Sequence, residues 1–89
     1  MYVIMCKTLR HFDGSTRLDS SHPVYAAAGK EELLGWMQRE PEIILRHLNN
    51  IVAEDVWELG DCSNTEAHLW NKAKTLERIY YGVFVKDKE

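Results

Sequence analysis

The chain has 89 residues, 45% of them hydrophobic, and a formal net charge of −3 with its histidines neutral. That length supports a single compact domain over residues 1–89. No apolar run is long enough to span a membrane, and an acidic total argues against direct nucleic-acid binding.

The charge is unevenly placed. Residues 1–30 carry a net +2, residues 31–66 a net −7 and residues 67–89 a net +2. An acidic middle of this kind makes a directional field, which speeds and orients docking on basic partners. Cys6 and Cys62 have no spacing that suggests a disulfide framework or a redox pair, so a reducing cytoplasm is expected. The opening MYVIMCKTLR lacks a basic lead and a cleavage site and is not read as a secretory signal.

Residues 2–10 read as a strand that is apolar on both faces, hence interior to a sheet. Residues 11–16 read as a turn, because Asp13-Gly14 is a favoured pair where the backbone takes positive φ. A second strand is expected over about residues 17–27. Pro23 cannot donate to a ladder, which makes that strand an edge or an irregular one.

Gly29 to Ala53 has helical periodicity. Gly29 serves as N-cap, and Glu31 and Glu32 complement the positive end of the helix dipole. Leu33, Leu34, Trp36 and Met37 share one arc, and Ile44, Leu45, Leu48, Ile51 and Val52 form a second stripe. Pro41 would cost about 3 kcal/mol inside a helix and little at the start of one. Two helices are therefore expected, 30–39 and 41–53, ahead of one kinked helix. Asn49 is placed facing water, and His47 reads as a boundary histidine.

Residues 54–61 read as a short strand or an extended connection. Ser63 and Glu66 have the spacing of a capping box, which predicts a third helix over 64–76. Residues 78–86, RIYYGVFVK, are the strongest strand signal. Ile79, Tyr81, Val83 and Val85 form one face of it, and Tyr80, Gly82 and Phe84 the other. This segment is similar in residue types to the third strand of the RNA-recognition motif, but its residue order differs, and no family is assigned.

The expected fold is α+β, in the order β-β-α-α-β-α-β, with a small antiparallel or mixed sheet and its helices packed on one face. The expected core is Ile4, Leu33, Trp36, Ile44, Leu48, Ile51, Trp70, Val83 and Val85.

No cofactor or metal is expected. Cys6 with His11 and Cys62 with His68 are spaced more widely than the paired ligands of zinc motifs. Cys62 precedes the predicted third helix, whose N-terminus would activate a thiol, but Asp61 and Glu66 oppose that. No phosphate-binding, dinucleotide-binding or serine-nucleophile motif is present.

The leading functional expectation is a small acidic, non-enzymatic intracellular binding module. It would be an inhibitor or modulator docking on a basic surface of a larger host protein, in the manner of phage or mobile-element accessory proteins. Its binding residues would be Glu31, Glu32, Glu54, Asp55 and Glu58, brought together by two antiparallel helices, with Tyr80 and Phe84 on an uncovered sheet face. The alternative is a homodimeric structural or regulatory protein using that face. A small enzyme ranks third.

Overall fold

The computed structural model describes residues 1–51 and 56–86. Asp13 and Gly14 adopt φ of 50° and 75° between the paired residues Phe12 and Ser15. This two-residue turn matches the right-handed twist of its flanking strands, and it joins β1 (Tyr2–Phe12) to β2 (Ser15–Ala27). The β2 strand pairs only with β1 and forms a sheet edge. Its register slips twice against β1, skipping Val24 and Asp19, with Pro23 beside the first slip.

A single helix follows, α1 (Lys30–Ile51), then β3 (Trp57–Cys62), β4 (Glu66–Asn71) and β5 (Leu76–Phe84). The strands form one antiparallel sheet in the order β2-β1-β5-β4-β3. The architecture is α+β, and among the described residues it holds one helix rather than several.

The expected break at Pro41 does not occur, and α1 runs through it. Pro41 lies on the inner side of the helix and is itself buried, between Trp36 and Met37 on one side and Ile44 on the other. Its ring joins the apolar stripe, and that burial offsets the lost hydrogen bond. The N-cap reading of Gly29 stands, since its carbonyl accepts the amide of Leu33 at 3.1 Å. Glu32 reaches back to the Ala28 amide at 3.1 Å. Asn49 does not face water. Its side chain accepts the Trp57 amide at 2.7 Å and donates to the Trp57 carbonyl at 3.1 Å, tying helix to β3.

The predicted third helix is also corrected, because residues 66–71 form β4. The Ser63 hydroxyl accepts the amides of Thr65 and Glu66 at 3.3 and 3.1 Å, as a cap would. The Ser63 amide, however, donates back to the Glu66 carbonyl at 2.8 Å, which closes a β3–β4 turn. At the far end of β4 the buried Asn71 side chain accepts the amides of Thr75 and Leu76, each at 2.9 Å, and Lys74 takes φ of 60°. A side chain competing for backbone donors in this way favours a turn over a helix.

The helix packs on the face bearing Ile4, Cys6, Ala67, Leu69 and Tyr80, all buried. Trp36 meets Tyr80 with ring centroids 5.6 Å apart. Leu33 sits directly on Gly82, where an added Cβ would lie 2.8 Å from its methyl carbon. The face assignment of β5 is thereby reversed. Tyr80, Gly82 and Phe84 lie on the covered face, and Val83 is 41% exposed on the other.

Of the remaining expected core, Ile4, Leu33 and Trp36 are buried and Ile44, Leu48 and Trp70 half-buried, whereas Val85 is exposed. Val52, Glu54, Asp55 and the side chain of Ile51 lie outside the described residues.

Candidate functional site

The sheet face opposite α1 carries Lys7, Leu9 and His11 on β1, Glu77, Ile79 and Tyr81 on β5, and Glu66, His68 and Trp70 on β4. No helix among the described residues covers it, yet Glu77 is only 7% exposed. Two imidazoles enclose its carboxylate. His11 Nε2 lies 3.0 Å from Glu77 Oε1, and His68 Nδ1 lies 2.6 Å from Glu77 Oε2. His68 Nε2 lies 3.2 Å from Glu66 Oε1, and His11 Nδ1 lies 2.9 Å from the Thr16 hydroxyl. Trp70 stacks on the His11 ring at 5.0 Å, and Lys74 covers Trp70 while pairing with Glu58.

An ionised carboxylate can only accept hydrogen bonds. Both nitrogens of His68 face carboxylates, so both must donate, and the arrangement holds the ring as an imidazolium. Burial opposes that charge, but hydrogen bonds and attraction from Glu77 and Glu66 outweigh it and raise the His68 pKa above its ordinary value. His11 can satisfy both of its contacts as a neutral ring, donating to Glu77 and accepting from Thr16. Chemically, the cluster stores one proton between two carboxylates.

The cluster borders a shallow depression of about 220 Å³ at the β3–β4 turn, lined by Asp61, Cys62, Ser63, Glu66 and His68. No Lys or Arg occurs between residues 47 and 71. Part of the acidic middle of the sequence thus lies at one edge of the sheet, where Asp61 and Glu66 are both exposed.

Of the expected binding residues, Glu54 and Asp55 lie outside the described residues, and Glu31 and Glu32 stand apart from Glu58. Glu31 and Glu32 are exposed on the first turn of α1, and Glu32 also accepts a hydrogen bond from the Tyr25 hydroxyl. That contact and the Ala28 amide lower its pKa. Glu58 lies on β3, level with Trp70 and paired with Lys74. A single helix of 22 residues, rather than an antiparallel pair, holds its two ends about 33 Å apart. Tyr80 is 3% exposed and packs against Trp36, whereas Phe84 is 63% exposed and meets Tyr2 edge-on.

Cys6 does not meet His11, and Cys62, although it lines the same depression as His68, makes no hydrogen bond with that ring. Cys6 and Cys62 lie in register with Tyr80 and Ala67 on the covered face, whereas His11 and His68 belong to the other. Burial also raises the Cys6 pKa. No group of three or more His, Cys, Asp or Glu among the described residues is arranged to hold a metal, and no helix there is long and apolar enough to cross a membrane.

Reading residues 64–76 as a helix hid the site. On a strand, Glu66 and His68 share one face by simple alternation, a signal that was present in the sequence. The contact of His11 with Glu77 spans 66 positions and left no local signal. Compared with protein families, curated proteins and solved structures, the chain matches none.

Proposed function

We propose that this protein is a small acidic binding module that modulates a larger protein by docking on a basic surface, without catalysing a reaction. The depression at the β3–β4 turn would receive a lysine or arginine side chain of the partner. One observation carries this reading: Asp61 and Glu66 wall a concave site in a stretch from 47 to 71 that has no basic side chain of its own except histidine. Placement on the β3 edge leaves the site open to a large partner.

An arginine-rich peptide titrated into the isotopically labelled protein is the direct test. Amide shifts should cluster at Asp61, Glu66 and His68 and shrink as salt rises, because screening shortens the reach of exposed charges. Asp61→Asn with Glu66→Gln should abolish them. Shifts centred elsewhere, or unchanged in the double variant, would remove the site.

A second reading is a homodimer through the uncovered sheet face, favoured by Val83 at 41% exposure beside the half-buried Val3, Met5 and Tyr81. Light scattering of the wild type and of Val83→Lys separates the readings. Only a dimer that the substitution dissociates supports self-association by this face.

A further inference from the structure

A second concavity, distinct from the acidic depression, lies between α1 and the sheet. It measures about 410 Å³, which is within the usual range for small-molecule sites. Trp36, Ile44 and Leu48 form its helical wall, and Arg78 of β5 lies at its floor. Its helical lining runs from Trp36 to Leu48, about 18 Å, with Glu40 in the N-terminal half and His47 near the C-terminal end.

Arg78 is unusual in this setting. Its guanidinium lies 5.6 Å over the Trp57 ring. None of the ion pairs among the described residues includes it. A guanidinium has five donors and no acceptor, and no side chain among the described residues pairs with it beside this apolar wall.

The neighbouring sheet surface is basic as well. Arg78 is level with Thr8, and two residues further along β1 Arg10 stands directly opposite Arg17. Like charges directly opposite on a sheet repel. Only Asp19, 3.4 Å from Arg10, offsets this group. Glu40 is the one carboxylate of the groove. It acts on the ionisation of Tyr25, which is level with Ile4 on the β2 edge and so four residue pairs along the ladder from Arg78.

We propose that this groove binds a small amphipathic acid. Its apolar body would lie against Trp36, Ile44 and Leu48, and its anionic head would reach Arg78 at the His47 end. Arginine is suited to that role, because its planar fork recognises a carboxylate bidentately. The inference is independent of the acidic depression, which would attract the opposite charge.

Decanoate, decanol and decyltrimethylammonium, each below its aggregation limit, are the probes, followed by calorimetry and amide shifts. Decanoate should bind saturably and move Trp36, Ile44 and Arg78, with the other two probes at least about tenfold weaker, the worth of one charged hydrogen bond. Arg78→Gln should erase the preference for decanoate over decanol. Ile43→Glu, at a rim position 52% exposed and therefore compatible with folding, should weaken both. Asp61→Asn should change neither. Equal affinity for decanoate and decanol, shifts confined to the other sheet face, or the absence of saturable decanoate binding would each overturn the proposal.

Discussion

The two faces of the sheet reach similar burial by different physics. On the covered face Ile4 is 0% exposed and Tyr80 3%, under a helix that brings an apolar stripe to an apolar sheet. On the bare face Glu77 is 7% exposed and Ile79 6%, screened, among the described residues, by neighbouring side chains of their own sheet. The first face is held by transfer of apolar surface from water, which does not depend on protonation. The second is held by a carboxylate shared between imidazoles, which does. Burial alone therefore does not say which side of this molecule is its core.

Substitutions on the two faces should separate these contributions. The largest effect is expected for Leu33→Ala. It removes a fully buried side chain seated on Gly82 and should cost about 2–5 kcal/mol with no change in pH dependence. A denaturation midpoint within error of wild type would mean that α1 is not docked on this face.

Glu77→Ala should cost less, about 1–3 kcal/mol, by leaving His11 and His68 without their shared acceptor. It should also flatten the pH profile of stability. Loss of stability with an unchanged profile would show that Glu77 acts only by packing.

The pH profile of the wild type follows from His68, whose folded pKa is raised. A raised pKa means that the folded state binds the proton more tightly than the unfolded state. That stabilisation is complete below the ordinary histidine value of 6.5 and disappears as pH rises through the raised folded value. Thermal melts should therefore fall as pH climbs from 6.5 through the raised folded value, and His68→Gln should remove that slope. A melting temperature that rises over the same interval would contradict the imidazolium assignment.

The smallest effect is expected for Ser63→Ala, about 0.5–1.5 kcal/mol for hydrogen bonds at an exposed turn. Circular dichroism should show no loss of helix, because Ser63 closes a hairpin. A drop in helical signal would restore the capping-box reading.

Much of this fold was legible in the chain. The Asp13-Gly14 hairpin, the interior β1, the proline-marked edge β2, the Gly29 cap and the strong closing strand all carry local chemistry that survives folding. The errors share a cause: a local pattern compatible with two outcomes. Pro41 ends a helix in isolation, but here it lies on the apolar stripe and packs. Ser63 and Glu66 fit a capping box and a β-turn equally well until the pairing of β4 decides.

Both faces of β5 are apolar, so alternation could not orient it. The deciding residue is Gly82, whose missing side chain admits Leu33. The candidate site was less legible than the fold. Asp61, Glu66 and His68 become neighbours only once the β3–β4 hairpin forms, and His11 and Glu77 only when β1 and β5 pair.

The interrupted register of β2 has a consequence for the protein at high concentration. The open edge of a 13-residue strand is a template on which further copies stack edge to edge. Val24 and Asp19 drop out of the ladder and Pro23 has no amide to offer, so an incoming strand finds only short matched runs. Deleting Val24 and Asp19 while replacing Pro23 with threonine would join those runs into one continuous rail. The same chain would then be a candidate fibril former, so the irregularities of this edge guard against edge-to-edge stacking.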